Sequence, residues 1–384
     1  MNRKIKIAYC IPSLYYPSGM ERVLTLKANY FAQVLGYEIH IILTDGADKK
    51  PYYALHPSII LHQLDINYDH LYGCSIWKRI TGYFAKQQLL KPRLNQCLNQ
   101  IKPDITLSLL RRDINVINEM TDGSVKMGEI HFNKSNYREF SDNKLPVFLQ
   151  ELVRRYWMKQ LISKLKPLKQ FIVLSYEDAA QWTELNNVKV IHNPLSFFPE
   201  QQSDCSHKQV IAVGRYMPQK GFDRLIPAWK IVSEQHPDWT LRIYGDGMRK
   251  ELQAQIESLG ITGTCLLEHT VPNIADKYGE SSIFVLSSRF EGFGLVITEA
   301  MACGVPPVSF ACPCGPRDII SDGEDGLLVE NGNIKQLAEK LCYLIEHEDL
   351  RKEMGKQARI HAERFKIEHI GQQWKELVES VIKH

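Results

Sequence analysis

Short apolar runs rich in β-branched residues alternate with helical patterns along this chain of 384 residues. Such alternation is typical of a parallel sheet whose strands are joined by crossover helices. In the first half, the candidate strands span residues 5–11, 37–43, 104–110, 171–175 and 188–193. After a polar, proline-containing segment at 195–208, the alternation restarts with QVIAVGR, WTLRIYG, TCLLEH, SIFVLSS, VPPVSF and GLLVE. The pattern predicts an α/β protein with two Rossmann-like domains in tandem.

The polar segment sets the expected domain boundaries. We assign the first Rossmann-like domain to residues 1–195, the second to residues 208–365 and a terminal helix to residues 366–384, with a hinge near 195–208. The terminal helix carries Trp374 on an apolar face, and we therefore expect it to pack against another surface.

Composition excludes several classes of protein. Hydrophobic residues make up 44 % and charged residues 24 % of the chain, which is typical of a globular protein rather than a disordered one. No stretch reaches the roughly 18 to 20 apolar residues of a membrane-spanning helix, and Pro12 interrupts the start before a signal-peptide core develops. We therefore expect a cytoplasmic protein. Nine scattered cysteines, including the pair in Cys312-Pro-Cys314, predict neither a disulfide framework nor a zinc site.

Charge is distributed unevenly along the chain. Residues 1–195 contain 26 Lys and Arg against 17 Asp and Glu, whereas the remainder contains 21 against 27. The basic half is expected to face an anionic partner, and two helical patterns at 76–102 and 151–169 carry much of its charge. The predicted membrane contacts are Arg154, Arg155 and Lys159. The alternative is that these are solvated faces of ordinary helices. Nucleic acid is disfavoured because no recognised binding motif accompanies the charge.

Two glutamates lie inside the apolar segment SRFEGFGLVITEAMACGVPPVSF at residues 288–310. The segment is typical of a strand end, a glycine loop and a helix, so Glu291 precedes the helix and Glu299 lies roughly 7 Å further along it. In open parallel sheets, anions bind where strands end and helices begin. A diphosphate there would lie between the two carboxylates, and hydroxyls on either side of it could bind them, which is the layout of a nucleotide sugar. The alternative is that Glu299 lies on a solvated helix face.

A second segment, QVIAVGRYMPQKGFDRLIPAW at 209–229, places two cations after a candidate strand. Arg215 and Lys220 flank the turn that follows it. Two cations in this position can clamp a diphosphate and neutralise the charge that grows on a leaving group. Taken singly, each is also consistent with an ordinary surface charge.

Four segments within residues 208–365 resemble the carboxyl-terminal domain of the family-four retaining glycosyltransferases of GT-B fold. In order, they are GRYMPQKGFDRLI, WTLRIYGDGMRKEL, SSRFEGFGLVITEAMACGVPPVSF and GPRDIISDGEDGLLVENGN. The resemblance implies that Glu291 contacts the donor sugar and Glu299 holds the ribose hydroxyls. It also implies that Arg215 and Lys220 clamp the diphosphate. The loop amides expected to meet sugar and phosphate are those of Gly292, Phe293, Gly294 and Leu295.

The first domain resembles the same family more loosely. IPSLYYPSGMERVLTLKANYF at 11–31 is similar to the family's Gly-Gly-x-Glu-Arg loop and first helix, with Ser18 in place of the first glycine. Gly19 would still let the backbone approach the diphosphate. EIHFNKSNY at 129–137 is similar to the Glu-His-x-Asn segment, and this implies that His131 hydrogen-bonds the donor sugar. An ordinary core or surface histidine is the alternative.

The resemblance also implies a reaction. In a GT-B enzyme, two Rossmann-like domains face a central cleft and the C-terminal helix crosses back to the first domain. We expect transfer of a hexosyl or N-acetylhexosaminyl group from a nucleoside diphosphate sugar, with UDP favoured, to a glycan hydroxyl with retained configuration. Lipid-linked saccharides are frequent acceptors in the family, which favours surface polysaccharide synthesis and a peripheral position on the inner face of the cell membrane. Because no Asp-x-Asp motif occurs, we expect neither a metal nor another cofactor.

Two other classes of function are weighed against this one. A non-catalytic nucleotide-sugar-binding protein would keep Glu299 and the two cations but would not need Glu291 or His131. A dinucleotide-dependent oxidoreductase would carry a GxGxxG motif after its first strand, and IPSLYYPSGMER lacks it.

Overall fold

The computed structural model describes residues 3–137 and 147–382. Within them, parallel strands form one sheet in each half of the chain. The first sheet contains β1 (Lys6–Ile11), β2 (Glu38–Leu43), β3 (Ile60–Gln63), β4 (Ile105–Ser108), β5 (Val125–Glu129), β6 (Gln170–Val173) and β7 (Val188–Val190). The second sheet contains β8 (Gln209–Val213), β9 (Thr240–Tyr244), β10 (Cys265–Glu268), β11 (Ile283–Leu286), β12 (Pro307–Phe310) and β13 (Leu327–Val329).

Helices connect the strands of both sheets. In the first half they are α1 (Gly19–Gln33), α2 (Ile76–Ile101), α3 (Val147–Leu165) and α4 (Tyr176–Ala179). In the second half they are α5 (Phe222–Gln235), α6 (Arg249–Ser258), α7 (Ile274–Gly279), α8 (Leu295–Ala302), α9 (Pro316–Ile319), α10 (Ile334–Glu346), α11 (Glu348–Ala362) and α12 (Ile367–Ile382). The predicted α/β architecture with two domains is confirmed.

Strand order identifies where a ligand can enter each sheet. The first sheet has the order β3-β2-β1-β4-β5-β6-β7 and the second has the order β10-β9-β8-β11-β12-β13. In the first sheet, β2 and β3 are added on one side of β1 and the later strands on the other side, beginning with β4. In the second sheet, β9 and β10 are added on one side of β8 and the later strands on the other side, beginning with β11. At such a switch point the loops after the two strands diverge and leave a crevice at their carboxyl ends.

The chain divides into two compact units. The first comprises the residues up to Leu174, Asp178–Pro194 and the chain from Ile367, and the second comprises Ser175–Glu177 and Leu195–Lys366. The segment 195–208, which the sequence suggested as a hinge, is part of the second unit. It is held there because Ser203 Oγ donates a 2.7 Å hydrogen bond to Ser281 O, and because the Cys205 side chain is buried.

The last helix, α12, belongs to the core of the first unit. Its buried residues Trp374 and Val378 cluster with Tyr9 of β1 and Phe31 of α1. The Trp374 and Phe31 rings lie 6.3 Å apart, and Lys27 Nζ lies 4.5 Å from the Trp374 ring centroid. The amphipathic pattern of the final sixteen helical residues is thus explained by burial against α1.

Removing the Trp374 ring should destabilise the first unit. Trp374 is 1 % exposed, so Trp374→Ala should leave a large cavity and lower the free energy of unfolding by about 3–5 kcal/mol. Trp77→Ala is the matched control because Trp77 is 79 % exposed and should change stability little. Chemical denaturation of both variants gives the comparison. If Trp374→Ala lowers the free energy of unfolding as little as Trp77→Ala does, then α12 contributes little to the stability of the core.

Candidate active site

The candidate site of the second unit lies at its switch point. Residues 214–221 follow β8 and lead into α5, while residues 287–294 follow β11 and lead into α8. Because β8 and β11 are neighbouring parallel strands, pairing Ile283 with Val210, both loops leave the same edge of the sheet. Lys220 from the first loop and Glu291 from the second are thereby brought together.

Backbone and side-chain hydrogen bonds lock the two loops to each other. Ser287 Oγ donates to Lys220 O at 2.9 Å, and the Arg289 amide donates to Gln219 O at 2.8 Å. The Arg289 guanidinium also binds Asp223 of α5 through two hydrogen bonds of 2.8 and 2.7 Å. These contacts fix the position of Lys220 relative to Glu291. The roles of Ser287, Arg289 and Asp223 in holding the loops together were not predicted from the sequence.

Gly221 is required where the loops touch. Its φ is +65°, and a Cβ at this position would lie 2.0 Å from Ser287 O. No side chain fits in that space without moving the β11 loop. Glycine at 221 therefore permits the close approach that places Lys220 beside Glu291.

Lys220 and Glu291 form an ion pair. Lys220 Nζ lies 2.7 Å from Glu291 Oε1, and Ser288 Oγ donates to the same oxygen at 2.6 Å. The two charged side chains are only 14 % and 7 % exposed. A cation this far from solvent interacts strongly with a nearby anion, because little water screens the charges. A diphosphate entering the crevice would compete with Glu291 for Lys220.

The helix that follows offers amide groups at the same edge. Gly294, with φ of +102°, precedes α8, so the first turn of the helix begins directly after the loop. The Phe293 side chain is buried and packs edge-on against Phe365 at 5.7 Å, which leaves its backbone rather than its ring available to a ligand. Gly292 and Leu295 are half-buried. The loop therefore presents main-chain groups, as its glycines suggest.

Glu299 and Arg215 have opposite environments. Glu299 is 3 % exposed within α8, which rules out the alternative that it lies on a solvated helix face. Arg215 directly follows the strand end at Gly214 and is exposed. The Glu299 carboxylate is thus enclosed by the packing around α8, whereas the Arg215 guanidinium is open to solvent.

Two predicted residues lie in the first unit. Gly19 is the first residue of α1, and His131 follows β5 with its side chain 6 % exposed. His131 Nε2 lies 3.3 Å from Glu129 Oε1, although without hydrogen-bond geometry. Glu129 in turn forms a buried ion pair with Lys27 of α1, which contacts both carboxylate oxygens. Lys27 and Glu129 were not predicted from the sequence, because their only signal there is a charge within an apolar pattern.

Glu129 remains ionised inside the first unit. Burial opposes its ionisation, but the charge of Lys27 and the contact with His131 outweigh burial and lower its pKa to about 2. The carboxylate beside His131 is therefore an anion at any ordinary pH.

No group of three or more His, Cys, Asp or Glu side chains in the part of the chain described here has an arrangement suited to a metal ion.

The chain is similar to known glycosyltransferases. Residues 196–361, which carry the Lys220–Glu291 pair, match the family model described as glycosyl transferases group 1. Over 376 residues the chain is 27 % identical to an uncharacterized glycosyltransferase of Haemophilus influenzae, with 96 % of this chain and 99 % of that protein covered. The chain is a glycosyltransferase, and the group 1 model matches the part of it at residues 196–361.

Other similar proteins agree with this assignment as a glycosyltransferase. The glycosyltransferase is 26 % identical over 395 residues to an α-1,4-N-acetyl-D-galactosaminyltransferase of Campylobacter jejuni, covering 98 % of this chain and 99 % of that one. The name of that enzyme specifies an acceptor ending in PP-undecaprenol. Among solved structures, Anabaena HepE in complex with UDP and glucose superposes with a TM-score of 0.72 and 19 % identity, covering 98 % of this chain and all of that chain. That likeness shows a shared fold.

Substitution of Gly221 tests how closely the two loops must approach. Gly221→Ala should lose about 1–2 kcal/mol of stability from its left-handed backbone and a further ~1–3 kcal/mol from the clash with Ser287 O, and UDP affinity should fall. Gly36→Ala is the matched control, since Gly36 has φ of +69° and nothing within 4 Å of a Cβ. It should lose the backbone contribution alone and keep UDP affinity. Thermal denaturation measures the stability of the two variants, and calorimetric titration measures their affinity for UDP. If the two variants behave alike, the two loops do not need to approach as closely as Gly221 allows.

Proposed function

We propose that this glycosyltransferase moves a hexosyl or N-acetylhexosaminyl group from a UDP-linked sugar to a glycan hydroxyl with retention of configuration, as the family-four resemblance implies. The observation that carries the proposal is the Lys220–Glu291 pair, which places a cation and a carboxylate at the crevice between β8 and β11. The donor presents a diphosphate next to sugar hydroxyls, which are the partners that these two groups prefer.

The diphosphate is the part of the donor that Lys220 and Arg215 would bind. As the bond between the anomeric carbon and the diphosphate oxygen breaks, negative charge grows on the leaving group. The ammonium, the guanidinium and the first amides of α8 stabilise that charge more than they stabilise the intact donor, and this difference lowers the barrier. Glu291, released from Lys220, accepts hydrogen bonds from the sugar, and Glu299 accepts them from the ribose.

We assign the proton transfer to the substrate pair. The acceptor hydroxyl attacks the anomeric carbon on the face from which the diphosphate departs, and the departing phosphate oxygen takes the hydroxyl proton. One bond to carbon breaks, one forms, and no enzyme nucleophile or metal is required. His131 contributes a hydrogen bond to the donor sugar, and Gly19 lets the backbone approach the diphosphate. The main contribution of the protein is the orientation of the reactants.

We further propose a lipid-linked saccharide acceptor and contact with an anionic membrane. No helix among the described residues is long and apolar enough to cross a membrane. In α3, however, Phe148, Leu152 and Tyr156 are all exposed and recur every four residues, which places them on one face. Exposed apolar side chains in such a stripe favour binding at a membrane interface.

The three cations predicted for the membrane contact lie on two different faces of α3. Arg155 and Lys159 are four residues apart and lie on the face of Leu152, whereas Arg154 is turned by about 100° from Arg155. Arg154 and Arg155 both hydrogen-bond Glu151, at 2.8 and 2.9 Å, so one carboxylate offsets part of their charge. The membrane contact of Arg154 stays a prediction, although Arg154 does not share the apolar face with Arg155 and Lys159.

The two glutamates should separate donor binding from turnover. Glu299→Ala should weaken UDP binding whichever sugar is attached, because it removes the ribose contact. Glu291→Gln should retain most UDP affinity and lower turnover, because the sugar contact is lost while the volume is kept. Calorimetry with UDP, and a mass-spectrometric screen of UDP-sugars with membrane extract in EDTA, measure both effects.

Three outcomes of that screen would contradict the proposal. Equal and negligible effects of the two variants would remove both assignments. Wild-type protein that binds UDP-sugars but never transfers them would indicate a non-catalytic binding protein. Activity that disappears in EDTA and returns with a divalent cation would overturn the metal-free reaction.

Charge reversal on α3 tests the membrane proposal. The double variant Arg155→Glu/Lys159→Glu should bind anionic liposomes at least about tenfold more weakly, since each basic residue near such a surface contributes about 1 kcal/mol. UDP affinity should not change. Arg154→Glu is the matched control and should retain more liposome binding than a single reversal at Arg155. Unaltered co-sedimentation of the double variant would exclude α3 as the contact.

A further inference from the structure

A buried charge cluster lies directly behind His131 in the first unit. Lys27 of α1 and Glu129 of β5 have side chains that are only 1 % and 2 % exposed, and they pair with each other. Glu129 Oε1 also lies 3.3 Å from His131 Nε2. Trp374 of α12 covers the ammonium of Lys27, with its ring centroid 4.5 Å from Nζ. Elements α1, β5 and α12 thus meet at this ion pair.

Stability alone does not account for this cluster. Removing two charges from water costs several kcal/mol for each ion, and apolar residues of similar volume are often as good or better in a core. Tyr9, which interacts with Glu129, and Trp374, which lies beside Lys27, both belong to the hydrophobic core of the first unit. What distinguishes the buried pair is its contact with the one histidine that the sequence resemblance marks as functional.

We propose that Glu129, held in place by Lys27, is a positioning residue that fixes the His131 ring with its Nε2 edge toward the carboxylate and leaves Nδ1 for the ligand. The inference rests on the proposed role of His131 and adds the groups that act through it. Neither Lys27 nor Glu129 touches the substrate in this account.

The carboxylate selects one form of the neutral imidazole. An anion beside Nε2 favours the tautomer that carries its proton there, so Nδ1 remains an acceptor for a sugar hydroxyl. Lys27 has a separate effect. An uncompensated carboxylate would draw a second proton onto the ring, and the ammonium reduces that attraction because it cancels most of the charge of Glu129.

Among the described residues, Tyr9 and Trp374 also lie beside this cluster, and the Arg111 guanidinium lies 5.8 Å from the ring centroid of Phe132, the residue that follows His131. β1 contributes Tyr9, whose pKa is raised well above its ordinary value by burial and by the charge of Glu129, so its hydroxyl stays neutral. α12 contributes the uncharged indole of Trp374.

Histidine titration in the full-length protein tests the inference without relying on activity. With ¹⁵N-labelled histidine, and the His131 signal identified from its loss in His131→Gln, the tautomer and midpoint are read directly from the ligand-free protein. Lys27→Met should move the His131 midpoint upward by about one pH unit or more, since it leaves Glu129 uncompensated. Glu129→Gln should abolish the preference for the Nε2–H tautomer.

A neutral double variant guards against loss of folding. Lys27→Met/Glu129→Gln contains no unpaired charge, so it should fold even if the single variants do not, and its His131 tautomers should be mixed. Lys126→Met is the matched control because Lys126, also on β5, forms a part-buried pair with Asp122. It should lower stability and leave the His131 signal unchanged.

Kinetics then show whether positioning matters for the reaction. Glu129→Gln and the double variant should lower kcat by about ten- to a hundredfold with little change in UDP affinity. In Lys27→Met, the acid limb of the kcat profile should move to higher pH together with the midpoint of His131. If neither tautomer nor midpoint responds to these variants, the positioning role is overturned. If they respond but His131→Gln retains full turnover, the positioning role survives and the assigned role of His131 in transfer fails.

Discussion

The ion pair between Lys220 and Glu291 is the contact on which the account of the donor site depends. It exists because two loops, one after β8 and one after β11, leave neighbouring parallel strands at the same edge of the sheet. Gly221 allows their backbones to touch, and the Arg289–Asp223 pair holds them there. Without these constraints, an exposed lysine and a loop glutamate would be mobile surface charges worth little to each other. Held together and largely out of water, they form the site at which we propose that the diphosphate meets a cation of fixed position.

Much of the fold follows from the sequence because the strands of a parallel sheet are buried on both faces. Runs such as β8 and β11 are almost entirely apolar for this reason, and the pattern indicated them with boundaries close to those observed. β3 was not predicted, because it lies at the sheet edge with two of its four residues exposed and has no continuous apolar run. The pattern also did not reveal the helix boundary at His347, where α10 ends and α11 begins without a glycine or proline.

The candidate site was only partly predictable. Glu291, Glu299 and Lys220 stand out because a charge inside an apolar or glycine-rich segment is unusual, and this signal is local. The pairing of Lys220 with Glu291 joins residues 71 positions apart, and that of Lys27 with Glu129 joins residues 102 positions apart. Sequence periodicity does not indicate such contacts. They can be identified only once the order of the strands in the sheet is known. The separation of Arg154 from Arg155 on α3 differs, because it follows from the helical repeat once the helix is assigned.

Both units use a buried carboxylate with a lysine partner, and in both the lysine comes from a segment that follows the first strand of its sheet. In the second unit the lysine is the group we expect the ligand to capture; in the first it remains a permanent counter-ion. A crystal structure of the complex with UDP tests the central claim most directly. The account predicts the diphosphate at the carboxyl ends of β8 and β11, with Lys220 Nζ bound to phosphate oxygen in place of Glu291. UDP bound elsewhere, or an unbroken Lys220–Glu291 pair that does not contact it, would contradict the account.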